Sequence, residues 1–267
     1  MRSGSSVVVF ADADALPDGA LDLLARERIA LVLSSSDTRA ELELRRQDLG
    51  VGDPFLSETG SAMFVPPGYF GFQTPGARKV AAYEAVEFGR RYEDVTRTLH
   101  RVAARLDIDV VGFSDMSVDE VGRDCGLPLM RARLAKLREY QEVFRLRTPD
   151  AAQRMRLRKA LQGARLRSVG CGRYDRVGTV FGPDRGITLL TRLYRLAGPT
   201  LSVGVTPGAP DRAFRRAVDR CVAIPLDKFE SWREGPVEWT QILVEWLRKL
   251  SHAGSAQVAL PSALQRS

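Results

Sequence analysis

Two aspartates one residue apart, Asp12 and Asp14, end an apolar run that starts at Val7. Residues two apart on a strand point the same way, and two carboxylates aimed at one site repel unless a cation or proton lies between them. A hard cation meets that requirement. Mg2+ takes oxygen ligands, keeps several waters and is completed by one or two carboxylates together with a substrate phosphate. The same pair would equally suit a strand that stops in a turn with its aspartates in water, and this stretch alone leaves both readings open. A second chemical candidate is Ser34-Ser35-Ser36-Asp37-Thr38. Set between a strand and a helix, it offers free backbone N–H groups and a favourable dipole to a phosphate, with Ser35 adding a hydroxyl. The alternative is an N-cap with no ligand.

The elements that must position these groups are legible in the hydrophobic pattern. Val7-Val8-Val9-Phe10 reads as a strand buried on both faces of a parallel sheet, and Ile29 to Leu33 as a second. Ligands of open α/β sheets bind at the carboxyl edge, where both candidate groups fall. A helix is expected over Asp18 to Arg28 and another over Arg39 to Leu49, then a hairpin over Pro54 to Val65 with its bend at Glu58-Thr59-Gly60. Tyr83 to Leu106 reads as one long helix, followed by a strand at 109–113, short helices at 117–124 and 128–137, and a strand at 142–146. A helix at 149–162 and two strands within 166–180, broken by Gly170 and Gly172, complete an irregular succession that fits an α+β unit. The α/β pattern then returns, with helices from Pro183 and Asp211, strands at 201–205 and 222–224, and a terminal helix over 239–250. The expected architecture is an α/β, Rossmann-like parallel-sheet core made of residues 1–77 and 182–250. An α+β cap is inserted at 78–181, and a loosely held tail follows at 251–267.

The 267 residues include three cysteines spaced 46 and 50 apart and two histidines, which points away from a zinc site or a disulfide framework. No leader and no apolar stretch long enough to span a bilayer stand in the sequence, so a cytoplasmic location without membrane contact is expected. The net charge is +7, and from Arg131 to Arg167 twelve basic residues face three acids. These are interleaved with apolar residues at helical spacing, as on a solvated helix face, and no nucleic-acid motif accompanies them.

With its elements in this order, the sequence resembles the haloacid dehalogenase superfamily and, within it, the mannosyl-3-phosphoglycerate phosphatases. The superfamily signature corresponds to Asp12 and Asp14, Ser35, Arg185 and the loop from Gly204 to Asp211. The narrower resemblance rests on residues 35–41, on 58–66 with Gly68-Tyr69-Phe70, and on Arg138-Glu139-Tyr140-Gln141-Glu142, extended by Gly172-Arg173-Tyr174 and Asp184-Arg185-Gly186. It implies that Asp12 is the nucleophile that forms an aspartyl-phosphate and that Asp14 is the general acid and base. Ser35 and Arg185 would hold phosphate oxygens, and Asp12, Asp14 and Asp211 would bind Mg2+. Substrate contacts are implied at Ser36, Glu58, Arg138, Glu142 and Arg173. The substrate would be a small anionic phosphorylated sugar acid. For Arg138 and Arg173, the two candidates for its glycerate carboxylate or sugar, the alternative is a solvated surface charge.

Four departures from the family pattern stand out. Ala15-Leu16 occupies the place of Gly-Thr, Asp37 that of a basic residue and Arg185 that of a lysine, exchanging a compact ammonium for a planar fork. The acidic loop is Gly204-Val205-Thr206-Pro207-Gly208-Ala209-Pro210-Asp211, which sets Val205 where the family has its first acid. Weakened metal binding is the expected result. A catalytically degenerate member that only binds a ligand or regulates is the alternative to a working phosphatase.

Overall fold

The computed structural model describes residues 7–13, 26, 29–207, 212–224 and 243–249. Its centre is β1 (Val7–Asp12), whose residues Val7 to Ala11 are at most 1% exposed. An apolar run with no alternation needs cover on both faces and neighbours on both edges. On one edge β1 pairs in parallel with β2 (Ala30–Ser34), and on the other with β11 (Leu201–Pro207). Beyond β2 come β3 (Phe55–Ser57), β4 (Ala62–Val65), β6 (Tyr83–Glu87) and β5 (Arg78–Val80), the last three antiparallel, and beyond β11 lies β12 (Arg220–Ile224).

Helices cover both faces of this eight-stranded sheet. On one, α1 (Arg39–Asp48) contributes Leu42 and the helical residues 243–249 contribute Leu243, Val244, Trp246 and Leu247 to the core of Val7, Val9 and Ala11. On the other, α6 (Asp184–Ala197) buries Ile187, Leu190 and Leu193 against Val8 and Phe10, beside α7 (Arg212–Ala217). Burying one such side chain stabilises by about 1.5–3 kcal/mol, so the alternating faces of β1 anchor the whole layer.

A second, four-stranded sheet has the order β7 (Val110–Gly112), β8 (Glu142–Leu146), β10 (Tyr174–Gly178), β9 (Arg167–Cys171), all antiparallel. One face packs on α2 (Tyr92–Arg105) and α5 (Ala151–Gly163), the other on α3 (Val118–Cys125) and α4 (Leu129–Ala135). Their starts follow sequence rules: Ser117 and Glu120 form a capping box on α3, and Asp150 caps α5 by accepting from the N–H of Ala152 and Gln153.

Two expectations are corrected. Tyr83 to Leu106 is not one helix. Residues 83–87 alternate along β6, with Ala85 buried, and the helix begins only after Arg91. Tyr83 to Glu87 therefore pairs with β4 and β5 in the first sheet, and the chain leaves that sheet near Gly89 rather than at residue 78. Gly170 does not break a strand either. It lies inside β9, and Gly172, at φ +63°, makes the turn. The expected helix at 18–28, apart from Arg26, and the tail at 251–267 lie outside the described residues. Among those described, no helix is long and apolar enough to cross a membrane.

Candidate active site

Asp12 is the last residue of β1, level with Ser34 of β2, and is partly exposed where its neighbours are buried. The next peptide bonds across the strands, Ala13 N–H donating to Ser34 O at 2.7 Å. Ser35 follows directly, 3% exposed, and its Oγ accepts the backbone N–H of Asp37 at 2.9 Å, which positions the hydroxyl at the sheet's edge. Thr38 then caps α1 through a capping box with Glu41, so the free N–H end of that helix faces the same edge. Arg185 stands in the first turn of α6, an exposed guanidinium 5.2 Å from the Phe88 ring. The fold thus brings Asp12, Ser35 and Arg185 to one carboxyl edge. Asp14 and Asp211 lie outside the described residues.

The bend at 58–60 is the hub of this edge. Glu58 and Thr59 take left-handed conformations at φ 46° and 57°, and Thr59 N–H donates to Ser35 O at 2.8 Å. Gly60, at φ +80°, leaves no room for a Cβ, which would stand 2.5 Å from Gly182 O and 2.6 Å from Pro183 Cα. That contact seats the start of α6, and with it Arg185, against the bend.

Glu58 itself does not face the crevice. Fully buried, it accepts the backbone N–H groups of Glu139 (2.8 Å), Tyr140 (3.1 Å) and Gln141 (2.7 Å). Burial raises its pKa, while Arg138 and those three donors oppose the rise. It is a clasp that holds the strap 138–141 of the inserted unit on the core. Tyr140 adds a bond to Glu87 (2.8 Å), and Gln141 Nε2 donates to Val180 O (2.7 Å). Arg138 is part of the same clasp, 3.9 Å from Glu58 Oε2 and donating to the carbonyl of Ser36 at 3.4 Å. The side chain of Ser36 is partly exposed at the edge.

Glu142 is likewise spent inside the protein. It accepts from Phe113 and Ser114 N–H and from Tyr92 Oη at 2.7 Å, which burial and the carboxylate together push well above the ordinary phenol range. Arg173 sits in the turn just before β10, paired with Asp124. Asp124 also accepts from Tyr174 and, at 2.9 Å, from Arg145, and its pKa is lowered to about 2, chiefly by the Tyr174 hydroxyl. The resemblance could not show which of these carboxylates and arginines are bonded inside the protein. It also passed over Arg176, whose Nη1 donates to Thr59 Oγ1 at 3.1 Å.

The altered loop takes a definite form as far as it is described. Val205 is fully buried in the core cluster, level with Ala11 and Val222. One step on, Thr206 is partly exposed. Residue 205 therefore faces the core, not the crevice. One or two carboxylates suffice for Mg2+ when waters and a phosphate complete its shell, and among the described residues Asp12 offers one carboxylate at this edge. Among the described residues no group of three or more metal-binding side chains is found.

A parallel-sheet core with an antiparallel-sheet unit inserted over its carboxyl edge defines a haloacid dehalogenase-like hydrolase fold. A haloacid dehalogenase-like hydrolase from Bacteroides thetaiotaomicron matches with a TM-score of 0.52 at 13% identity, over 86% of this chain and 98% of that one. Protein 0175 of Thermoplasma acidophilum matches with a TM-score of 0.50 at 12% identity, over 85% and 95%. No family model matches the chain. Among curated proteins, it is 30% identical over 224 residues to the mannosyl-3-phosphoglycerate phosphatase of Pyrococcus furiosus, spanning 79% of this chain and 88% of that protein. It is 34% identical over 176 residues to the glucosyl-3-phosphoglycerate/mannosyl-3-phosphoglycerate phosphatase of Methanococcoides burtonii, spanning 66% of this chain and 64% of that protein's length. The chain belongs to the mannosyl-3-phosphoglycerate phosphatase family.

Proposed function

We propose that the protein hydrolyses the phosphate monoester of a glycosyl-3-phosphoglycerate, such as mannosyl-3-phosphoglycerate, releasing phosphate and the glycosylglycerate. The observation that carries this reading is the convergence of Asp12, Ser35 and Arg185 at one carboxyl edge in a chain of this family. Asp12 attacks phosphorus and expels the sugar-acid alkoxide, dividing one displacement into two easier ones through an aspartyl-phosphate. Asp14 protonates the leaving oxygen and then takes a proton from the attacking water. The Ser35 hydroxyl and the Arg185 guanidinium hold the phosphoryl oxygens as charge shifts between them. Asp12, Asp14 and Asp211 would hold Mg2+, which when bound offsets the repulsion between carboxylate and phosphate. Residues 90–179 form the cap in this reading, and the clasp at Glu58 sets its position.

The test is release of phosphate from mannosyl- and glucosyl-3-phosphoglycerate across a series of Mg2+ concentrations. Metal-dependent turnover of either supports the reading. Saturable binding of both without turnover at any Mg2+ concentration would assign the chain to non-catalytic ligand binding.

A further inference from the structure

We infer that Arg176 is the specificity-determining residue of this site, receiving the carboxylate of a phosphorylated acid whose phosphate sits at Ser35. The inference rests on the phosphatase reading and deepens it by assigning the acid group of the substrate. Arg176 projects from β10 on the same face as Tyr174, two residues along, and crosses to the core to donate from Nη1 to Thr59 Oγ1 at 3.1 Å. Thr59 is in turn bonded through its N–H to Ser35 O at 2.8 Å. A single residue therefore separates this guanidinium from the phosphate-binding serine.

Several arginines of the inserted unit and the core edge are already paired with acids. Arg154 and Arg158 share Asp175, Arg173 and Arg145 share Asp124, and Arg39 has Glu43 and Glu139. Among the described residues Arg176 makes no ion pair, and its buried Nε–H has no acceptor. The nearest acid on the bend, Glu58, is already engaged by three N–H groups and Arg138. A guanidinium with one arm on Thr59 and its Nε–H unfilled is matched by an anion that accepts from the remaining edge of the fork. Phosphate and carboxylate of a 3-phosphoglycerate lie two carbons apart, and Ser35 and Arg176 are spaced by one bridging residue. Arg173 does not meet this geometry. It stands three residues earlier on the chain, about 10 Å along an extended strand, and faces Asp124.

The experiment compares 3-phosphoglycerate with glycerol 3-phosphate, which differs in having a hydroxymethyl group in place of the carboxylate, by calorimetric titration of the full chain. Wild type is expected to bind 3-phosphoglycerate at least tenfold more tightly. Arg176→Ala should bring that ratio close to one, and Arg176→Gln, which keeps a donor to Thr59 but no charge, should do the same with an unchanged melting temperature. Arg176→Lys should retain an intermediate ratio. With mannosyl-3-phosphoglycerate, Arg176→Gln should raise KM by at least tenfold while kcat changes much less. A wild-type ratio near one, or a ratio unmoved by Arg176→Gln, overturns the inference and leaves the phosphatase reading standing. Failure of wild type to bind 3-phosphoglycerate also overturns the inference, whereas the phosphatase reading falls only if neither mannosyl- nor glucosyl-3-phosphoglycerate is turned over.

Discussion

Arg138 Nη1 lies 3.9 Å from Glu58 Oε2, with the two side chains 7% and 0% exposed. The pair joins the strap of the inserted unit to the bend that carries Thr59, next to Ser35. Removing the cation leaves a buried carboxylate with only its N–H donors. Arg138→Ala is therefore expected to cost about 3 kcal/mol in urea unfolding. It should also raise KM for a small generic phosphate ester and for the glycosyl-phosphoglycerate alike, because it acts by misplacing the cap. A KM increase confined to the larger substrate would instead make Arg138 a direct ligand.

Asp12→Asn should lower phosphate release by about a thousandfold or more, since an amide cannot form the acyl phosphate. Its circular dichroism and melting profile should match wild type, because the residue sits at the partly exposed end of β1. Undiminished turnover would remove Asp12 from the mechanism.

Gly60→Ala introduces a Cβ 2.5 Å from Gly182 O at φ +80°. The expected loss is more than about 2 kcal/mol, from left-handed strain and a backbone clash that no rotamer relieves. Because Pro183 caps α6, displacement there moves Arg185 as well, so kcat should fall at temperatures where the variant is still folded. Thermal melts and initial rates on the same preparation check both effects.

Val205→Asp tests the altered loop. The side chain at 205 is fully buried beside Ala11 and Val222, so a carboxylate there loses its hydration without gaining a partner. The variant should be destabilised by about 3 kcal/mol or more, with no gain in Mg2+ affinity by titration. Tighter Mg2+ binding at an undiminished melting temperature would show that residue 205 reaches the crevice.

Asp124, held at about 2 by Tyr174, Arg145 and Arg173, contributes a pH-dependent increment of stability. A lowered carboxylate pKa stabilises above the ordinary aspartate value and loses that contribution as pH falls from there toward 2. Asp124→Asn should therefore flatten the decline of the urea midpoint between about pH 4 and pH 2 relative to wild type. An identical slope in both proteins would show that the cluster does not titrate in this window.

The sequence by itself determined the parallel centre of the fold and the residues at its edge. Val7 to Phe10 and Ile29 to Leu33 are apolar without alternation, which only a doubly covered strand accommodates, and Asp12 and Ser35 each stand two residues past the end of a run. The hairpin bend at Glu58-Thr59-Gly60 and the helix starting at Arg39 were equally local, written in turn and capping residues. Tertiary structure decided what the charged side chains do. Glu58 meets its donors 81 to 83 residues later in the chain, and Glu142 meets Phe113 and Ser114 29 and 28 residues earlier. No local pattern marks such a carboxylate as a clasp rather than a ligand. Tyr83 to Glu87 became a strand because β4 and β5 offered backbone partners, and Arg176 rather than Arg173 reached the bend at Thr59, Arg173 being drawn to Asp124 instead. Backbone conformation answers to neighbours a few residues away, whereas the partner of a buried charge is supplied by whichever distant segment the packed sheets bring beside it.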